Sequence, residues 1–149
     1  MKLNDALRGV ARLGLDTAPL IYLIEAHPTY RPLVRDIARR ISDGYMAGIT
    51  SVVTLGEVLV QPLARGDVAL QQQYRDLLLH SFGFRTLPVD AAVAERAAEL
   101  RARYGMRLPD ALQVAVALNE GCEAFLTNDR RLARVREISV LVLDDLVLE

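Results

Sequence analysis

Residues 108–129 read LPDALQVAVALNEGCEAFLTND, and they hold the two patterns from which the fold is deduced. From Pro109 to Asn119 the spacing is helical and apolar almost all round, broken only by Asp110 and Gln113, so this helix must be largely buried. Pro109 falls in the first turn, where its missing N–H costs little. After Gly121 comes a short apolar run ending in Thr127-Asn128-Asp129, which has strand length. A buried helix feeding a buried strand is one unit of a parallel sheet covered on both faces.

Working outward, strands are expected near 12–16, 45–50, 84–88, 123–127 and 138–143. Pro62 and Gly66 split two helical segments between the second and third strands, with Asp67 as N-cap of the latter. A further helix runs from Asp90 to Tyr104, where Gly105 ends it. Neither an internal repeat nor a long linker interrupts the chain. The expectation is a single α/β domain over 1–149, an α/β/α sandwich with a mainly parallel central sheet. Residues 1–11, with Leu3, Ala6, Leu7 and Val10 in helical phase, form a possible N-terminal extension.

The chain of 149 residues, 52% hydrophobic and 25% charged, suits one compact core rather than disorder. A formal charge of −1 gives no global attraction to polyanions, so any nucleic acid must be held by local patches or bound cations. Of 18 basic residues only Lys2 is lysine, a bias toward bidentate phosphate binders that genome base composition explains as simply. The lone Cys122 excludes an internal disulfide, and His27 and His80 have no zinc-ligand spacing. No apolar run is long enough to span a bilayer, and charges interrupt the first apolar stretch too often for a signal peptide. A soluble, cytoplasmic protein without a membrane partner is expected.

Four carboxylates stand alone at the polar edges of apolar elements: Asp16 after Leu13-Gly14-Leu15, Glu57, Asp110, and Asp129 after Thr127-Asn128. Each taken singly has a plainer role. Asp16 and Asp129 suit helix caps, Asp110 a dipole partner, and Glu57 a thin polar line of Thr50, Thr54, Glu57 and Gln61 on an apolar helix. Together they occupy matching positions, because ligand sites of open α/β sheets lie outside the carboxyl ends of the strands. Oxygen donors without histidine or cysteine suit Mg²⁺ or Mn²⁺ rather than zinc. Such ions activate water and stabilise charge on phosphoryl oxygens, making phosphodiester hydrolysis the leading chemistry.

Four motifs then resemble the PIN domain family, and within it the VapC-like toxin ribonucleases of type II toxin-antitoxin modules. They are Leu15-Asp16-Thr17, Thr54-Leu55-Gly56-Glu57-Val58, Leu108-Pro109-Asp110-Ala111-Leu112 and Phe125-Leu126-Thr127-Asn128-Asp129-Arg130-Arg131-Leu132. They stand in the family's order at family-like intervals from about Leu13 to Leu143. The resemblance implies a small α/β/α fold and Mg²⁺- or Mn²⁺-dependent endonuclease cleavage of single-stranded RNA. It marks Asp16, Glu57, Asp110 and Asp129 as catalytic metal ligands, with Thr17, Thr54, Thr127 and Asn128 in support. It also implies a homodimer and an antitoxin partner. Two positions depart from the pattern: Ala18, where many relatives carry a second polar residue, and Gln113, where many carry His.

Arg130, Arg131 and Arg134 after Asp129, and Arg107 before Asp110, are candidate RNA-phosphate contacts, against the plainer role of a solvated face. Three other functions compete. A receiver-like signalling domain would need an acidic pair beside the first strand and a lysine after the last, and the chain has neither. An RNA- or protein-binding domain without catalysis would be expected to have lost an acid. An RNA-processing nuclease without an antitoxin would keep the chemistry and lose the toxin role.

Overall fold

The computed structural model describes residues 1–149. Its five strands are β1 (Arg12–Leu15), β2 (Ala47–Ser51), β3 (Phe84–Leu87), β4 (Ala124–Thr127) and β5 (Ser139–Val142). They form one sheet in the order β3-β2-β1-β4-β5, every pair parallel. The strands fall within one or two residues of the expected ranges. After β1 the chain builds outward through β2 and β3, then returns to lay β4 on the other side of β1. The sheet therefore reverses its winding between β1 and β4, and the carboxyl ends of those two strands frame the crevice where α/β sheets bind ligands.

Eight helices cover the sheet: α1 (Leu3–Ala6), α2 (Thr17–Ile24), α3 (Arg31–Ser42), α4 (Val52–Val58), α5 (Val60–Arg65), α6 (Val68–His80), α7 (Ala91–Tyr104) and α8 (Leu108–Asn119). Two apolar clusters form, one per face. One gathers Leu13, Leu15, Ile37, Ile41, Tyr74, Leu78 and Leu126, and the other packs α7 and α8 against Ile49 and Phe125. The alternation of Leu13, Gly14 and Leu15 explains the division, since successive strand residues face opposite sides. Gly14 faces α8, where a Cβ would lie 2.7 Å from the Ala117 Cβ and 2.9 Å from the Phe125 ring. Glycine and the alanine-rich side of α8 thus bring that helix onto the sheet.

Local signals act as expected in most places. Asp67 and Asp90 accept hydrogen bonds from the first turns of α6 and α7, and Gly105 closes α7 in the left-handed conformation. The segment around Pro62 differs. It contains two short helices, α4 and α5, that meet at Leu59, with Pro62 inside α5 and Gly66 ending it. Nor is its apolar sequence all buried, because Val52, Val60 and Leu63 are exposed. Tyr74 and Leu78 of α6 are buried, whereas Phe82 is exposed, since α6 has ended at His80 and the turn carries the ring outward.

The first residues are woven into the fold. Leu3 is fully buried and Leu7 nearly so. Lys2 pairs with Val147 as a parallel bridge, and the amide of Leu3 donates to the Val147 carbonyl at 2.9 Å. No helix of the structure is long and apolar enough to cross a membrane.

Candidate functional site

Asp16 follows the last residue of β1, beside the crevice. Its Oδ1 accepts from the Thr17 amide at 2.9 Å, capping α2, and its Oδ2 accepts from the Thr127 hydroxyl at 2.7 Å across the β1–β4 gap. Thr127 in turn accepts from the Asp129 amide at 3.0 Å. One buried hydroxyl therefore ties the first acid to the loop carrying the fourth. Burial pushes the Asp16 carboxyl above its ordinary range, and the nearby Asp110 and Glu57 charges add to the rise, while the bonds from Thr127 and Thr17 oppose it. The fold thus brings acids from β1, α4 and α8 within electrostatic reach of one another.

Glu57 is more exposed than its apolar helix suggests, lying where α4 emerges from the protein. Its Oε1 accepts from the Thr17 hydroxyl at 2.7 Å. Behind it lies a buried polar chain. Ser51 donates to Gln113 Oε1 at 2.6 Å, and the Gln113 amide group donates to Thr17 Oγ1 at 3.0 Å and to Thr54 Oγ1. The Thr50 hydroxyl donates to the Leu15 carbonyl at 3.0 Å. A carboxylate only accepts, so the single Thr17 proton is committed to Glu57, and the amide must supply protons toward the threonines. Gln113 therefore orients the Thr17 hydroxyl that holds Glu57, and the Thr54 hydroxyl beside it. The expected line of Thr50, Thr54, Glu57 and Gln61 runs from interior to surface, with its first two members buried and its last two exposed.

Asp110, in the first turn of α8, and Asp129 line one small cleft of about 60 Å³ with Arg107, Arg131 and Arg134. Each acid is met by an arginine. Arg107 approaches Asp110 at 3.4 Å, whereas Arg131 donates to both Asp129 oxygens at 3.0 and 2.7 Å. The second pair holds the Asp129 carboxyl below its usual range. Arg130 is turned away, donating to both oxygens of Asp145 at 3.1 and 2.9 Å. Of the four candidate arginines, then, three border the cleft and Arg130 does not. Asn128 lies beside the site, its amide nitrogen 3.4 Å from the Tyr22 hydroxyl and its oxygen buried without a partner.

The donor set fits a hard divalent cation in type and charge. It consists of oxygens only, and it includes a buried carboxylate repelled by two others, a repulsion that a cation would relieve. No three acidic, histidine or cysteine side chains form a closed cluster, and Asp110 and Asp129 are paired with Arg107 and Arg131.

Two participants escaped the sequence. Ser51 looks like an ordinary N-cap and does accept from the Val53 amide at 3.1 Å, yet it also orients Gln113 from 62 residues away. Tyr22 looked like one more apolar residue of α2, and it contacts Asn128 beside the acids. Asp16, Thr17 and Asp129 beside strand ends, and Asp110 in the first turn of a helix next to Pro109, carried a local signal of their place.

The PIN domain family model matches residues 14–138, and the chain belongs to that family. The folds of several solved structures agree. The VapBC2 complex of Rickettsia felis bound to a promoter DNA fragment contains a chain with TM-score 0.70 and 17% identity, covering 88% of this chain and 98% of that one. A toxin-antitoxin complex from Klebsiella pneumoniae gives 0.66 at 24% identity, with 89% and 97% covered. VapC20 of Mycobacterium tuberculosis, a sarcin-ricin loop cleaving toxin, gives 0.64 at 20% identity, with 86% and 98% covered. No curated protein sequence matches the chain.

Proposed function

We propose that this chain is a Mg²⁺- or Mn²⁺-dependent endoribonuclease that hydrolyses phosphodiester bonds in single-stranded RNA. The observation that carries the proposal is Asp16 at the β1–β4 crevice, a carboxyl raised first by burial and further by the charges of Asp110 and Glu57 from two other elements. Structural ion pairs place opposite charges together, whereas like charges gathered at a sheet's ligand-binding edge are the mark of a cation site. Asp16, Glu57, Asp110 and Asp129 would hold the cation, with Thr17, Thr127 and Asn128 orienting them. When bound, the cation supplies an activated water and a counter-charge for the phosphoryl oxygens. Arg107, Arg131 and Arg134 border the cleft and are placed to bind the flanking phosphates.

The fold shared with VapBC2 and with a Klebsiella pneumoniae toxin-antitoxin complex supports a toxin role with a cognate antitoxin as partner, and a homodimer is proposed as the working form. The same enzyme would work in the cytoplasm, where its one buried thiol, Cys122, stays reduced. The test is incubation of the partner-free protein with a mixed single-stranded RNA pool and Mg²⁺ or Mn²⁺. Cleavage that disappears with EDTA and in Asp110→Asn supports the proposal. A folded protein that binds the pool and cuts nothing with either metal would be a binding domain instead.

A further inference from the structure

The largest concavity of the molecule lies away from the acids. It is a groove of about 730 Å³ along α3, lined by His27, Arg31, Arg35, Asp36 and Arg39. The apolar residues of α3, Leu33, Val34, Ile37 and Ile41, are buried in the core, which leaves Arg31, Arg35 and Arg39 in a row four residues apart. Their Cα positions advance by about 6 Å per step. Asp36, the one acid lining the groove, is already engaged by Arg39 at 2.8 Å and by Arg40 at 2.6 Å. Arg31 and Arg35 have no carboxylate partner. On a chain of net charge −1, an aligned row of three guanidinium groups, two unpaired and the third shared with Asp36, is a local anion-binding feature.

The groove is linked to the candidate site by packed side chains. His27 accepts from the Thr29 amide through Nδ1 at 3.1 Å, so its remaining ring nitrogen, Nε2, carries the proton. The His27 ring packs 4.7 Å from Tyr22 and 4.8 Å from Tyr30, and those two tyrosines stack on each other at 4.8 Å. Tyr22 in turn contacts Asn128, the neighbour of Asp129. Partly buried aromatic side chains therefore link the acidic edge to the arginine row. Cationic grooves joined to aromatic rings are the combination that tracks a single nucleic-acid strand, with phosphates on the cations and bases on the rings.

We propose that the His27, Arg31, Arg35 and Arg39 groove is a second phosphate-binding site, one that holds the flank of a single-stranded RNA whose scissile bond lies at Asp16 and Asp129. This rests on the nuclease reading for the RNA's path and on the groove's own chemistry for its binding. The experiment measures binding of a labelled, mixed-sequence single-stranded RNA across a salt series, with Ca²⁺ as the only divalent ion. Wild type is compared with Arg31→Ala/Arg35→Ala/Arg39→Ala and with Arg8→Ala/Arg65→Ala/Arg96→Ala, which loses equal charge on other surfaces. Thermal melting checks that both variants fold.

The groove variant is expected to bind about tenfold or more weakly at low salt, with the salt slope reduced by about 2, as three lost phosphate contacts require. Replacing the same three residues with lysine should restore most of the slope. The control variant should lose far less. Equal losses in both triple variants would overturn the proposal, because only bulk charge would be at work. So would an unchanged RNA slope accompanied by lost binding of polyglutamate, since the groove would then be built for an acidic protein segment. Cleavage by wild type is scored separately with Mn²⁺. Its absence would count against the nuclease and leave the groove measurement standing.

Discussion

Replacing Gln113 with leucine probes the polar chain behind Glu57. The residue is buried, and its amide joins Ser51 on β2, Thr54 on α4 and Thr17 on α2. Leucine has similar volume and removes all three hydrogen bonds. At about 1 kcal/mol net for each bond the loss is about 3 kcal/mol. Burial of the added apolar surface offsets about 1 kcal/mol. A net destabilisation of about 2 kcal/mol lowers Tm by about 4–8 °C for a chain of this length. Thermal melting in EDTA reads the loss without interference from metal. Gln113→Leu/Ser51→Ala removes the orphaned hydroxyl as well, so the two substitutions should be less than additive, with a coupling of about 1 kcal/mol. Thr17 would also lose the donor that orients it toward Glu57, and RNA cleavage should fall together with stability. A folded Gln113→Leu protein with wild-type Tm would refute this account of the network, as would a strictly additive pair.

Three further outcomes are expected. Asp16→Asn should raise Tm in EDTA at neutral pH, because burial lifts this carboxyl's folded-state pKa and its ionised form opposes folding; the gain should shrink as pH falls and the carboxyl protonates, and a variant less stable than wild type at pH 7 would contradict it. Arg131→Ala should tighten Mn²⁺ binding measured by calorimetry while weakening RNA binding, since Arg131 engages both oxygens of Asp129; unchanged Mn²⁺ affinity would show that the pair does not compete with metal. Leu3→Ala should cost about 2–5 kcal/mol in chemical denaturation, as truncation of a fully buried leucine does, and a loss below about 1 kcal/mol would show that the first residues contribute little to the core.

Much of the architecture was legible because periodicity reports burial. The nearly all-apolar α8 and the short run before Asp129 could only be a covered helix and an inner strand, and both lie where expected. The helix around Glu57 was less legible: α4 and α5 leave the apolar Val52, Val60 and Leu63 exposed, and no single-chain pattern distinguishes a core side from an uncovered one. The arginines fail for a different reason. Arg130, Arg131 and Arg134 look equivalent in sequence, and only tertiary contacts commit Arg130 to Asp145 and Arg131 to Asp129. The Ser51–Gln113 bond and the Lys2–Val147 bridge likewise join residues far apart in the chain, with no local signal at either end.

That four carboxylates from separate elements form one cation site is the claim on which the rest depends. Its most direct test is the anomalous scattering of Mn²⁺ in crystals of the protein. The account predicts a Mn²⁺ peak at the β1–β4 crevice, ligated by Asp16 and at least one of Glu57, Asp110 and Asp129, with Asp129 turned away from Arg131. Crystals at saturating Mn²⁺ with no peak at that crevice, or with the ion bound elsewhere and Asp129 still paired to Arg131, would contradict it.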